Sequence, residues 1–326
     1  MKRSVQLTFV CAVAIALGLA ISCSSSPPTK TQKPVKMVAF ITNSTSDFWK
    51  IARKGTENAD TEMTDVAVAF KTTNTGAVDE QNGLVRHALD VEEADAIAIS
   101  PIDPTAQKTV INNAAERALV ITQDSDAPDT ERALYIGADN RAAGRQAGDL
   151  IKKALPQGGK IMVFVGKREV QNAKDRFEGL KESLQGSKLV VLDLMTDDAD
   201  PGDARANAYE ALKKYPDIAG MVGLWSYKGP AIVQALRPQE KLGKIQIVCF
   251  DDEPATLTGI KEGSIFATVA QQPFEYGYQT IKTAEQILKG DRSVIPANKT
   301  IFIPTVVIQK NNVDEYSKKL EQLLGK

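Results

Sequence analysis

From Lys36 onward the chain alternates short, β-rich apolar runs with longer amphipathic segments, and this alternation restricts the fold more than any other feature. The apolar runs begin with "KMVAFI" (36–41), "VAVAFK" (66–71), "AIAIS" (96–100), "ALVIT" (118–122) and "LYIG" (134–137). They continue with "KIMVFVG" (160–166), "LVVLDL" (189–194), "GMVGLW" (220–225), "IQIVCF" (245–250), "IFATVA" (265–270) and "IFIPTVVI" (301–308). Between them the apolar spacing predicts helices over 47–62, 77–90, 105–117, 140–154, 172–185, 203–214, 228–237, 253–262 and 275–289. Strands apolar on both faces belong in parallel sheets covered by helices on both sides. The units are too many for one small sheet and do not fit a closed ring of eight. The expected architecture is α/β, with two Rossmann-like lobes built on parallel sheets.

In open sheets of this kind ligands bind beyond the carboxyl ends of the strands, so the residues directly after each strand are the candidates. The first strand is followed by Thr42, Asn43, Ser44 and Ser46, then Phe48 and Trp49. "LVIT" leads into Gln123, Asp124, Ser125 and Asp126; "VFVG" into Lys167, Arg168, Asn172, Lys174 and Arg176. "GMVGLW" leads into Ser226 and Tyr227, "IVCF" into Asp251 and Asp252, and "ATVA" into Gln271 and Gln272. Rings, carboxylates, amides and cations at one edge suit a polyhydroxylated ligand. A carboxylate accepts from neighbouring hydroxyls, Lys, Arg or Asn serve the remaining lone pairs, and the C–H faces of a sugar stack on aromatic planes.

Each candidate also has a purely structural explanation. Phe48 and Trp49 could open a helix against the sheet, although neighbouring helix residues point about 100° apart and cannot share one core stripe equally. An Asp after a strand often caps the next helix; Asp126 and Asp252 are placed to do so, leaving Asp124 and Asp251 for a ligand. His87 lies mid-helix in "LVRHALD" and reads as a surface or packing residue. The acidic run "DDADPGD" (197–203) lacks EF-hand spacing and reads as a solvated capping loop. Cys249, alone in an apolar run, reads as a small core residue.

The amino terminus bears on location. Lys2 and Arg3 precede a mostly apolar run from Phe9 to Ile21, followed by "SCSSSPPTKTQKP", the pattern of an export signal over residues 1–22. Ala20 and Ser22 satisfy an ordinary small-x-small cleavage rule, while "LAISC" resembles a lipoprotein cleavage site that would leave Cys23 acylated. Ser, Pro, Thr and Lys over residues 23–35 make a polar tether with nothing to bury, as expected between an anchor and a folded body. Cys11 leaves with the signal, so no disulfide framework is available. The 40 basic and 41 acidic residues nearly cancel and form no basic block, which argues against a nucleic-acid partner. No dinucleotide fingerprint, P-loop, HExxH or nucleophile elbow occurs, and the remaining enzymatic route, a glycosidase pair of carboxylates, would need one dry, protonated Asp, whereas each Asp here has polar or charged neighbours, so no enzyme is expected. No cofactor and no metal are expected.

Taken in order, "NSTSDFW", "VITQDSDAP", "AGRQAGDLI", "QNAKDRFEGL", "YPDIAGMVGLWSYKGPAI", "IVCFDDEP" and "ATVAQQPFEYG" resemble the periplasmic sugar-binding proteins of the ribose and xylose type that serve ABC importers. The resemblance runs from Lys36 to about Gln309. It implies the periplasmic-binding-protein-like I fold, with three crossovers near Asp139, Gln271 and Lys299. One lobe would then comprise 36–138 with 271–298 and the other 139–270 with 299–326. It implies capture of a monosaccharide (pentose, hexose or related furanose) by a monomer that delivers it to a membrane permease; presentation to a membrane receptor is the alternative. Phe48 and Trp49 match the aromatic pair on the sugar ring, Asp124 and Asp251 the hydroxyl-binding carboxylates of the two lobes, Gln271 the amide at the crossover, and Ser226 a position often held by Asn. Ser125 stands where ribose binders tend to have Arg, and Lys174 where an Arg usually grips the ligand from the second lobe; Arg176 is assigned to structural ion pairing, and Asn172 is kept as a ligand-binding candidate. Trp225 and Tyr227 are the candidates for the second stacking face, and Thr42 completes the expected set.

Overall fold

A computed structural model describes residues 35–324 of the chain. The expected export signal, Cys23 and the tether up to residue 34 lie outside the described residues.

The first lobe begins with β1 (Lys36–Ile41), α1 (Asp47–Thr61), β2 (Val66–Lys71), α2 (Val78–Asp90), β3 (Ala96–Ile99), α3 (Lys108–Ala115), β4 (Leu119–Gln123) and β5 (Leu134–Gly137). The second lobe repeats that plan. It runs through α4 (Asn140–Ala154), β6 (Gly159–Val165), α5 (Gln171–Leu184), β7 (Leu189–Thr196), α6 (Pro201–Lys214), β8 (Ile218–Gly223), α7 (Lys228–Leu236), β9 (Gln246–Phe250), α8 (Pro254–Glu262) and β10 (Ala267–Ala270). The chain then returns with α9 (Pro273–Leu288) and β11 (Thr300–Phe302), and ends with β12 (Val306–Ile308) and α10 (Val313–Leu323).

Among the described residues each sheet has six strands, ordered β2-β1-β3-β4-β5-β11 and β7-β6-β8-β9-β10-β12. All pairings are parallel except that of β12 with β10. This is a doubly wound order in which the winding reverses beside the first strand of each lobe, between β1 and β3 and between β6 and β8, where a crevice opens at the strands' carboxyl ends.

Apolar residues on both strand faces explain the layering. In β1, Val38 and Phe40 face Trp49, Ala52 and Tyr276, while Ala39 and Ile41 face Val85, Ile97 and Ile111. The period-2 alternation thus feeds two separate apolar layers from one strand. The second lobe does the same, with Val163 and Val165 against Ala143 and Leu180 and Met162 and Phe164 against Ala208 and Ile232. Two helix pairs approach unusually closely. A Cβ on Gly55 or Gly277 would run into backbone carbonyls across α1 and α9, and one on Gly144 or Gly179 would do so across α4 and α5. The second of these contacts meets the carbonyl of Arg176, so it fixes how deep α5 sits.

One strand departs from expectation. The run 301–308 is two strands: Ile301 pairs with Ile136 in the first sheet, whereas Val307 pairs with Val269 in the second. Pro304 has no N–H to give to a ladder, and the chain changes sheet at Ile303–Thr305 around it. The third crossover therefore falls beyond Lys299, and residues 300–302 belong with the first lobe. The other two lie at Ala138–Asp139 and Gln271–Gln272.

Candidate functional site

A cavity of about 500 Å³ lies between the two sets of strand ends. From the first lobe it is lined by Asn43, Ser44, Ser46, Phe48, Trp49 and Asp124. From the second come Asn172, Arg176, Trp225, Ser226, Tyr227, Asp251 and Glu253, with Gln271 at the crossover.

The turn after β1 presents the first wall. Trp49 Nε1–H donates to Asn43 Oδ1 at 3.1 Å and to Ser44 Oγ at 3.0 Å, which fixes the indole plane. Phe48 packs edge-on against it, ring centres 5.0 Å apart, and also against Tyr276. Both rings line the cavity and both join the core of the first lobe, so their packing does not remove this pair from the cavity wall.

Asp124 directly follows β4 in the left-handed region, φ 60°. Ser125 N–H donates to the Gln123 carbonyl at 2.7 Å, closing a γ-turn around it. Its carboxylate accepts from Ser100 Oγ at 2.7 Å and Asn43 Nδ2 at 3.3 Å. Burial pushes its pKa up to about 6, while the Arg176 guanidinium and the Ser100 hydroxyl pull the other way. Asp251 holds the matching place after β9, φ 65°, accepting from Gln271 Nε2 at 2.9 Å and from the Gln271 backbone N–H at 3.2 Å. Burial raises its pKa as well, again opposed first by Arg176. Gln271 in turn accepts from the Tyr276 hydroxyl of α9, tying the acid of the second lobe to a helix of the first.

Arg176 is the cation of this cavity, contrary to its expected role in structural ion pairing. It is 1% exposed; Nε donates to Asn140 Oδ1 and one terminal nitrogen donates to the Leu224 carbonyl, each at 2.8 Å. Its plane lies 4.5 Å over the Phe250 ring. The other terminal nitrogen, Nη2, is buried and has no hydrogen-bond partner among the described residues. Lys174, expected to grip the ligand, is exposed and does not line the cavity. Helix geometry gives the reason. Asn172 and Arg176 are four residues apart on one face of α5, while a residue midway between them points about 200° away.

Two other expected residues stand behind the wall instead of lining it. Thr42 is fully buried, its hydroxyl donating to the Ser44 carbonyl and its own carbonyl accepting from Gln81. Ser125 is fully buried behind the γ-turn, with no partner for its hydroxyl among the described residues. Asn172 accepts from Trp225 Nε1–H at 3.1 Å, so its amide N–H groups stay available to the cavity. Trp225 and Tyr227 both line the second wall, ring centres 6.4 Å apart.

The neighbouring acids do other work. Asp126 holds Arg132 through both carboxylate oxygens, and Asp252 accepts from Tyr316 of α10 at 2.7 Å; neither caps the following helix. In the acidic run 197–203, Asp200 does cap α6, but Asp197 is buried against Lys228 and accepts from the Tyr227 hydroxyl.

Two doubly wound lobes with acids, amides and rings converging on one interlobe cavity narrow the kinship, and sequence comparison decides it. The family described as "Periplasmic binding protein domain" matches residues 38–292. The chain belongs to that family. Among periplasmic binding proteins it is 27% identical over 244 residues to the ribose import binding protein RbsB of Escherichia coli K12, covering 72% of this chain and 81% of that one. It is 26% identical over 318 residues to the RbsB of Bacillus subtilis strain 168, covering 93% and 98%. A solved solute-binding protein of an ABC transporter from Burkholderia graminis C4D1M, in complex with D-arabinose, superposes with a TM-score of 0.80 at 25% identity, covering 87% of this chain and 98% of that one.

Proposed function

We propose that this periplasmic binding protein captures a monosaccharide between its two lobes outside the cytoplasm and delivers it to the permease of an ABC importer. Relatives named for ribose import and a structural neighbour solved with D-arabinose support that reading. The observation that carries it is the buried, unpartnered Nη2 of Arg176, in a cavity lined by Asp124 and Asp251. A buried donor left unpaired costs about 1–3 kcal/mol, so an acceptor arriving there recovers what the empty site forgoes.

A sugar ring oxygen or hydroxyl supplies that acceptor, while the ring's own hydroxyls donate to the carboxylates. Micromolar affinity requires about −8 kcal/mol, and charge-assisted hydrogen bonds contribute roughly 1.5–3 kcal/mol each. A few such bonds plus one stacked face are enough after ordering costs. Phe48 and Trp49 stack on one face of the ring and Trp225 on the other; Asn43, Asn172, Ser226, Tyr227 and Gln271 complete the shell.

Acylation of Cys23 would hold the protein at the membrane surface as a monomer on its polar tether. Several acyl chains, at about 0.8 kcal/mol per buried methylene, make that anchorage firm. Thermal-shift screening of pentoses and hexoses tests the reading. At a hundredfold excess over Kd a true ligand stabilises the folded state by about 2.7 kcal/mol, which shows as a clear rise in melting temperature. No rise with any pentose or hexose would exclude it.

A further inference from the structure

Glu253 opens α8 as its N-cap residue, yet its side chain makes no capping hydrogen bond. Instead it lines the interlobe cavity, half-buried, beside Ser226. The charged groups acting on it, Asp251, Asp47 and Asp252, are all acidic; burial raises its pKa, and the neighbouring Ser226 hydroxyl opposes this. The cavity wall thus carries three carboxylates, Asp124, Asp251 and Glu253, against the single guanidinium of Arg176. That balance disfavours sugar phosphates and uronates, since an added anion would meet an excess of negative charge in a poorly solvated space. A carboxylate in such a place is stabilised by hydroxyl donors.

The cavity also extends past the pair of acids. Tyr227, Pro230, Ala231 and Gln234 line it along one face of α7. From Tyr227 to Gln234 seven steps of about 1.5 Å make that wall about 10 Å long, and about 500 Å³ is many times the roughly 10–15 Å³ of such space that admits one water. That wall is longer than a single sugar ring is wide.

We infer that Glu253 reads a hydroxyl beyond the pentose ring, so that the preferred ligand is a neutral hexose whose exocyclic hydroxymethyl donates to this carboxylate. The inference rests on the sugar-binding reading and sharpens it. One charge-assisted hydrogen bond to a half-buried acid corresponds to about tenfold in affinity.

Isothermal titration with matched pairs tests it: D-xylose with D-glucose, L-arabinose with D-galactose, and D-ribose with D-allose, each pair differing by the hydroxymethyl alone. In the pair containing the tightest ligand the hexose should bind about tenfold more tightly than the pentose. Glu253→Ala should shrink that gap to about threefold or less, and Glu253→Gln, which keeps one acceptor, should retain part of it. Melting curves of the unliganded variants separate lost contact from lost fold. A pentose binding as well as its hexose, or a gap that survives Glu253→Ala, overturns the inference while leaving sugar binding intact. If no sugar of either size binds the natural protein, the sugar-binding reading fails and this inference fails with it.

Discussion

Asp124 and Asp251 are counterparts in the two lobes: each directly follows the fourth strand of its sheet, and each holds a left-handed backbone, φ 60° and 65°. The locks on that backbone are also counterparts. Asp124 N–H donates to the Ile136 carbonyl and Asp251 N–H to the Val269 carbonyl, both on the adjoining strand. Tyr135 and Thr268 of those same strands donate their hydroxyls to the Asp124 and Asp251 carbonyls. A non-glycine residue in this region costs on the order of 1–3 kcal/mol and persists only where the surroundings overdetermine it. Both lobes sustain that cost at the place where a carboxylate must face the cleft.

Arg176 sits between these acids, and its fork matters as much as its charge. Arg176→Lys keeps the cation but gathers its donors on one nitrogen, where Arg176 spreads three nitrogens over Asn140, Leu224 and the cavity. Sugar affinity should fall by about tenfold or more. Titration calorimetry checks this, and an unchanged Kd would remove Arg176 from the site.

The pH response follows from Asp124, whose pKa is pushed up to about 6 from an ordinary 3.8. A carboxyl raised in the folded state contributes stability that is fully present below pH 3.8 and is lost as pH rises through about 6. Ligand binding runs the other way, because sugar hydroxyls donate to the ionised form. Affinity should therefore weaken as pH falls from 7.5 to 5, with Asp124 alone accounting for at most about tenfold per unit. In Asp124→Asn the part of that slope centred near 6 should vanish. Asp252 also titrates at about 6, but it is bonded to Tyr316 and does not line the cavity. A flat profile in the natural protein would contradict an ionised role for Asp124.

Lys167 reaches from the end of β6 to the first lobe, donating from Nζ to the Gly76 carbonyl at 3.0 Å. The receiving turn is braced by Glu80, which accepts from the Asn74 and Thr75 backbone N–H groups and the Thr75 hydroxyl. Lys167→Met should bias the lobes toward the open state and weaken every sugar by the same few-fold factor, since the contact belongs to closure and not to any ligand. Selective weakening of one sugar, found by titrating several, would place Lys167 in the binding site instead.

Much of this arrangement was legible in the chain. Two-faced apolar strands dictated two covered sheets, and position after a strand picked out Asp124, Asp251, Gln271 and the Phe48–Trp49 pair. The errors have physical causes. Position after a strand admitted both Lys174 and Arg176 and the resemblance chose Lys174, whereas the i,i+4 relation to Asn172 favours Arg176. Thr42 and Ser125 follow strands but spend their side chains or backbone on the turns that aim their neighbours. The run 301–308 has one composition throughout, and only the missing N–H of Pro304 marks where it changes sheet. Glu253 was hidden behind Asp251 and Asp252, because a third acid at a helix start reads as a cap until its side chain is seen turned away.

The central claim is that each lobe contributes one acid to a shared sugar. Its most direct test is the Kd of the tightest sugar for Asp124→Asn and Asp251→Asn, both substitutions that tolerate the left-handed backbone. Each should lose about tenfold to a hundredfold in affinity, with little change in the melting temperature of the unliganded protein. If either variant binds the sugar as tightly as the natural protein does, the two-lobed grip is contradicted.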